Sequence, residues 1–136
     1  MTDRTTLVDT NVLLDILDRD PTWELWSAHA LAAALDSGNV AINPIVYAEV
    51  SVGFDHAEDL DDALPAQLFA REPLPFAAGF LAGKAFERYR RSGGTRTTPI
   101  ADFYIGAHAL VRGYPLLTRD RRRYATYFPK LELITP

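Results

Sequence analysis

The chain contains no cysteine. Disulfide bonds and thiolate metal sites are therefore excluded, so any bound metal must be held by oxygen or imidazole ligands. No apolar run approaches the roughly eighteen residues that a membrane helix needs. The first ten residues, MTDRTTLVDT, lack the cationic segment followed by an apolar one that marks a secretory signal peptide. We therefore expect a soluble, cytoplasmic protein with no membrane partner.

Glycine-rich phosphate-binding signatures are also missing, because neither the dinucleotide-binding pattern nor the P-loop pattern occurs. A nucleotide cofactor is accordingly not expected. The composition that remains is that of an ordinary globular protein, with 136 residues, 48% hydrophobic and 24% charged. This length predicts a single domain over residues 1–136 with a substantial buried core.

Short apolar segments alternate with helical patterns along the chain, which predicts an α/β domain with a short, mainly parallel sheet. The aromatic side chains Trp23, Trp26, Phe76, Phe80 and Phe86 are expected in the core. Between two prolines, residue 74 can form a brief edge segment at most. We expect strands at 5–8, 40–42, 116–118 and 131–134, and helices at 11–17, 21–37, 45–54, 56–64, 76–91, 98–113 and 121–127.

Charge is distributed unevenly between the two halves of the sequence. Residues 1–68 carry 13 acidic and 2 basic side chains, whereas residues 69–136 carry 5 acidic and 12 basic ones. The net charge of −4 alone argues against a nucleic-acid partner, but a basic half is a recognised sign of polyanion binding. Solvated charge on both halves would explain the same pattern.

Two aspartates lie just past the carboxyl ends of predicted strands. Asp9 comes after Leu7-Val8, and Asp120 comes just after the strand that contains Leu116-Leu117. Functional residues of parallel sheets gather at the carboxyl ends of the strands. Each aspartate could equally serve as the cap of the helix that follows it.

Two further carboxylates lie on apolar helix faces. Glu49 has Ile45, Val46, Val52 and Gly53 as its helical neighbours. Asp102 lies in an otherwise small and apolar helix, three residues in, although aspartate is a mediocre helix former. A solvated edge position would explain the glutamate, and the helix dipole would favour an aspartate in a first turn.

Taken together, these four acids indicate a cluster of like charges. Asp9, Glu49 and Asp102 have no Lys or Arg beside them in the sequence, and only Asp120 has adjacent arginines. Clustered carboxylates raise each other's pKa, and a divalent cation relieves that conflict. Carboxylate oxygens without cysteine or histidine favour Mg²⁺ or Mn²⁺.

The same segments resemble the motifs of PIN-domain nucleases, in particular the VapC-type toxins of toxin–antitoxin systems. The resemblance covers nearly the whole chain and preserves the order of the motifs. It implies a three-layer α/β/α sandwich and names Asp9, Glu49, Asp102 and Asp120 as catalytic, metal-binding acids. Supporting roles fall to Thr10, Asn11 and Thr118. The matching segments are 7–14, 47–50, 100–109 and 117–120.

This resemblance implies a metal-dependent endoribonuclease that forms a homodimer and is inhibited by a cognate antitoxin protein. The basic half then provides the attraction for RNA, since contacts to phosphate give affinity without sequence choice. Neighbouring aromatic side chains at positions 89, 104 and 124 could stack on bases of a single strand. The arginines expected to bind substrate are Arg96, Arg119, Arg121 and Arg122, within two groups that also include Arg88, Arg90, Arg91 and Arg123.

Two other classes of function remain open. The first is a non-catalytic nucleic-acid-binding module, which loss of one of the four acids would favour. The second is a metal-dependent phosphatase for small molecules, a class that usually has an Asp-x-Asp motif. Residues 9–11 read Asp-Thr-Asn instead.

Overall fold

The structure, a computed structural model, describes residues 4–96 and 99–136. Strands and helices alternate along these residues, as predicted. The strands are β1 (Arg4–Val8), β2 (Gly38–Ile42), β3 (Phe69–Arg71), β4 (Leu116–Leu117) and β5 (Leu133–Ile134). The helices are α1 (Thr10–Leu17), α2 (Glu24–Ser37), α3 (Pro44–Ser51), α4 (Ala57–Ala63), α5 (Phe76–Arg91), α6 (Pro99–Arg112) and α7 (Arg121–Tyr127).

The sheet is parallel throughout, and its strands lie in the order β3-β2-β1-β4-β5. Strand β1 is central, and its Leu7 lies opposite Ala41 of β2 on one side and Leu116 of β4 on the other. All three side chains are fully buried. Continuous apolar runs of this kind are required where helices cover both faces of a parallel sheet.

The strand order reverses direction at β1. The chain first moves outward from β1 to β3, and then returns through α5 and α6 to β4 on the other side of β1. Because parallel crossovers are right-handed, this return places α1–α4 and α5–α6 on opposite faces. The predicted three-layer α/β/α sandwich is therefore confirmed, and the switch point lies between β1 and β4.

Strand β3 is where the sequence-based prediction is wrong. The sequence allows only a brief edge segment at Leu74, which in the structure lies outside any strand. The strand forms earlier, where Phe69 pairs with Val40 of β2. Only Phe69 is buried in this three-residue edge strand, so the sequence carries no alternating pattern from which it could be read.

Several boundaries also differ from expectation. Helix α2 begins at Glu24 because the Asp20 carboxylate accepts the backbone N–H groups of Thr22 and Trp23, each at 2.8 Å, and holds this segment in a turn. The predicted start of the 98–113 helix at Thr98 lies outside the described residues, and α6 begins at Pro99. Strand β5 is limited to Leu133–Ile134.

The prediction that the phenylalanines of α5 lie in the core is wrong for two of them. Phe76 is 97% exposed and Phe80 is 69% exposed. The buried face of α5 consists of Ala78, Ala82 and Ala85. These small side chains allow α5 to pack closely on α6, so residues 76 and 80 fall on the solvent face.

The remaining aromatic side chains lie closer to the core. Phe86 stacks on Tyr89, and Trp23 meets Trp26 edge to face. All four are partly buried. Within residues 4–96 and 99–136, no helix combines the length and the apolar character that a membrane crossing requires.

Gly106 provides a test of the packing between α6 and α7. A Cβ atom at this position would lie 2.9 Å from the rings of both Tyr124 and Phe128. Overpacking a core costs about 1–3 kcal/mol, against roughly 1 kcal/mol gained from the helix propensity of alanine. We expect Gly106→Ala to lower the free energy of unfolding, measured by urea denaturation.

The matched control is Gly83→Ala in α5. Gly83 also lies inside a helix, but a Cβ atom there would meet nothing within 4 Å. This variant should be more stable than the wild type by about 0.5–1 kcal/mol. Equal effects of the two substitutions would show that the contact at Gly106 does not limit packing.

Candidate active site

Asp9 lies at the carboxyl end of β1, at the switch point of the sheet, and is 4% exposed. It is the N-cap of α1, and its carboxylate accepts the Thr10 backbone N–H at 2.8 Å. It also accepts the hydroxyl of Thr118 at 2.8 Å, that of Tyr124 at 3.1 Å and the amide of Asn11 at 3.3 Å. Asp9 is thus a helix cap and part of a polar cluster at once.

The partners of Asp9 in these hydrogen bonds are all neutral. Burial raises the pKa of Asp9 to about 6, and the hydrogen bonds from Thr118, Tyr124 and Thr10, which lower this pKa, offset only part of the effect. The negative charge of Asp102 raises this pKa further. A buried carboxylate near a second carboxylate is a site that favours a cation.

The predicted supporting residues connect β1 to β4 around this carboxylate. Asn11 donates to the Thr118 hydroxyl at 3.3 Å and accepts the Arg119 backbone N–H at 3.1 Å. The Thr118 hydroxyl oxygen also accepts the Asp120 backbone N–H at 3.0 Å. These bonds hold the segment after β4 beside Asp9.

Glu49 reaches the cluster from α3 and is partly exposed. The Thr10 hydroxyl donates to its carboxylate at 2.6 Å. Helix α3 begins where Asn43 accepts the Val46 backbone N–H at 3.0 Å. The amide of the same Asn43 donates to Nδ1 of the buried His108 in α6 at 3.1 Å, so α3 and α6 are positioned relative to each other.

Asp102 and Asp120 share a cation from this chain, Arg123. Its guanidinium forms an ion pair with Asp102 and places Nε 4.0 Å from a carboxylate oxygen of Asp120. Asp120 also caps α7 by accepting the Arg123 backbone N–H at 3.2 Å. Burial raises the pKa of Asp102, Arg123 lowers it, and the charges of Glu49 and Asp120 raise it.

The structure therefore brings the four acids named from the sequence, Asp9, Glu49, Asp102 and Asp120, into one electrostatically interacting group. They do not form a ready set of metal ligands. In the part of the chain that the structure describes, no three carboxylate or imidazole side chains are close enough together to hold a metal ion. Asp102 is held by Arg123, and Glu49 is held by the Thr10 hydroxyl.

The arginines expected to bind substrate lie in different environments. Arg96, Arg121 and Arg122 are exposed. The guanidinium of Arg119 instead donates to the buried Asp15 at 2.6 and 2.9 Å and lies over the Trp23 ring. The structure shows a fold-stabilising contact for Arg119, and its binding of substrate stays a prediction.

Tyr124 has a role that the sequence did not reveal. The sequence groups it with Tyr89 and Tyr104 as an aromatic side chain that could stack on bases, but Tyr124 is fully buried and cannot do so here. Burial raises its pKa well above the usual value, so the hydroxyl stays protonated and donates to Asp9. Arg123 and Tyr124 follow Asp120 by three and four residues, a spacing that makes them its neighbours on a helix. This spacing is the signal in the sequence that could have identified both as residues of the site.

The raised pKa of Asp9 predicts a pH-dependent stability. Its pKa is 3.8 as an unperturbed group and about 6 in the fold, so between these values the folded state binds more protons than the unfolded state. In a metal chelator, stability should therefore rise as pH falls from above 6 towards 4, by at most about 3 kcal/mol from this group.

Asp9→Asn should remove this contribution, because an amide does not titrate. We expect the difference in unfolding free energy between the wild type and this variant to change by up to about 3 kcal/mol between pH 7.5 and pH 4.5. Urea denaturation in chelator at both pH values measures it. A difference that is constant over this range would contradict the assigned pKa.

The PIN domain family matches residues 6–129, whereas no curated protein sequence matches the chain significantly. Similar solved structures include VapBC2 from Rickettsia felis bound to a DNA fragment from its promoter, with TM-score 0.71 and 18% identity over 96% of this chain and 98% of that one. VapBC-1 from nontypeable Haemophilus influenzae gives 0.72 and 17%, over 96% and 97%.

A toxin–antitoxin complex from Klebsiella pneumoniae is similar as well, with TM-score 0.71 and 23% identity over 96% of this chain and 97% of that one. At these identities the likeness concerns the fold. The family match extends over most of the chain and includes all four clustered acids. The resemblance read from the sequence motifs is thereby confirmed, and the chain belongs to the PIN domain family.

Proposed function

We propose that this chain is a divalent-metal-dependent endoribonuclease, the toxin of a VapBC-type toxin–antitoxin pair. The observation that carries the proposal is the buried Asp9 carboxylate, which receives hydrogen bonds from neutral groups while the charge of Asp102 acts on it. Among residues 4–96 and 99–136, no Lys or Arg forms a salt bridge with Asp9. A buried carboxylate left in this state is costly, and a cation would relieve it.

The donor chemistry of the site fits Mg²⁺ or Mn²⁺, because the candidate ligands are carboxylate oxygens. Asp9, Asp102 and Asp120 would hold the ion, with Glu49 beside them. A bound divalent cation lowers the pKa of water and offsets negative charge that develops on a phosphate. In this structure Asp102 forms an ion pair with Arg123.

Other residues of the site support binding and proton transfer. Glu49 is partly exposed and is oriented by the Thr10 hydroxyl, so it can accept a proton from a water molecule at the site. Arg121 and Arg122 are exposed beside Asp120. They are suited to attract the phosphate backbone towards an otherwise acidic site.

An antitoxin partner is supported by the fold. The similar structures from Haemophilus influenzae and Klebsiella pneumoniae are VapBC-1 and a toxin–antitoxin complex. We propose that a cognate antitoxin binds this chain, that the toxin forms a homodimer, and that both act in the cytoplasm. The pairing of Arg123 with Asp102 and Asp120 supports inhibition by a basic antitoxin side chain, because it shows that these acids accept a guanidinium.

The two rival functions find less support in the site. A non-catalytic binding module has no need to keep four acids in one group, two of them with raised pKa values. A phosphatase of the Asp-x-Asp type needs a second carboxylate at residue 11. Asn11 occupies that position, and its amide is used to join Thr118 and the Arg119 backbone.

Asp102→Asn tests the proposed activity. Loss of a metal ligand removes several kcal/mol of transition-state stabilisation, which corresponds to a rate loss of about a hundredfold or more. We expect Mg²⁺-dependent cleavage of tRNA or rRNA by the wild type, strong loss in this variant and retention of the fold by circular dichroism. Single-stranded DNA offered in parallel distinguishes RNA from DNA as substrate.

The matched control is Asp62→Asn, the same change at an exposed aspartate of α4. It should cleave RNA at the wild-type rate. Full activity of Asp102→Asn, or cleavage that survives a chelator, would refute the proposed metal-dependent mechanism.

A further inference from the structure

Arg123 places a positive charge inside the carboxylate group. Its guanidinium pairs with Asp102 and approaches Asp120, and the side chains of Arg123 and Asp102 are both about a third exposed, at 32% and 29%. The pairing lowers the pKa of Asp102 against the effects of burial and of Glu49. Without another cation, Arg123 supplies the positive charge that reduces the repulsion among these carboxylates.

The backbone of Arg123 is held firmly, whereas its side chain has room to move. Its N–H is bound by the Asp120 carboxylate, and the next residue, Tyr124, is fully buried and bonded to Asp9. The guanidinium is carried on a long, partly exposed stem. It can therefore leave Asp102 without any movement of α7.

Among the described residues the acids do not form a ready set of metal ligands, and the pairing with Arg123 engages one of them. One of the two carboxylate oxygens of Asp102, Oδ2, accepts an N–H donor of Arg123. A divalent cation and this guanidinium require the same carboxylates. Since both are positively charged, their simultaneous presence at Asp102 and Asp120 is disfavoured.

We propose that Arg123 is an internal competitor of the metal ion, which holds Asp102 and Asp120 together in the metal-free protein and must be displaced before a divalent cation binds. The inference rests on the proposed metal-dependent function. It assigns to Arg123 control of metal affinity, which is separate from the attraction of RNA expected of the other arginines in this segment.

Titration of Mn²⁺ into metal-free protein, followed by calorimetry without RNA, tests this role. Removing the competitor with Arg123→Gln should tighten Mn²⁺ binding about tenfold, the scale set by a hydrogen bond between charged groups. The variant should also be less stable than the wild type in chelator, while Mn²⁺ raises its melting temperature by a larger increment. Arg123→Lys keeps the charge but loses the planar fork, so its affinity should fall between the two.

Arg122→Gln is the matched control. It removes the same charge one residue away, from an exposed side chain, and therefore reports the long-range electrostatic effect alone. Its Mn²⁺ affinity should change by less than about twofold at 0.15 M salt, where exposed charges are largely screened.

The outcomes separate this inference from the proposed function. Equal affinities for Arg123→Gln and Arg122→Gln, or weaker binding by Arg123→Gln, would overturn competition while leaving metal dependence intact. If no protein binds Mn²⁺, the metal-dependent function fails and the competition fails with it. Tighter binding confined to the Arg123 variants supports the proposal.

Discussion

The buried charge of Asp9 is the constraint on which the arrangement of this site depends. A carboxylate at the end of the central strand is sealed from solvent and yet remains near Asp102. The Asp9 carboxylate accepts hydrogen bonds from α1, from the segment after β4 and from α7. Each of these donors is also a link between elements, so the same contacts stabilise the switch point of the sheet.

Helix α7 connects this constraint to the other acids. Asp120 caps it, Arg123 pairs with Asp102, and Tyr124 reaches Asp9. The close approach of Tyr124 and Phe128 to α6 depends on the absence of a side chain at Gly106. A helix of two turns thereby sets the relative positions of three carboxylates that are widely separated in sequence.

The electrostatic design of the site has two parts. Neutral donors hold Asp9 in place, and burial keeps its pKa high although those hydrogen bonds lower it. Arg123 partly cancels the charge of Asp102 and Asp120 from the other side. The four acids are thus held in place by hydrogen bonds and ion pairs from within the chain.

Much of this architecture could be read from the sequence because it rests on local patterns. Apolar runs before Asp9 and Asp120 predicted buried parallel strands, and the odd positions of Glu49 and Asp102 on apolar helices predicted that four acids meet. The ordered motifs predicted the PIN fold. What only the tertiary structure decided are contacts between distant segments: the edge pairing of Phe69 with β2, the solvent face of Phe76 and Phe80, the Asp15 partner of Arg119, and the positions of Arg123 and Tyr124 against Asp102 and Asp9. Hydrophobic periodicity is a property of neighbouring residues, whereas the partner of a charge is chosen by whatever the folded chain brings beside it.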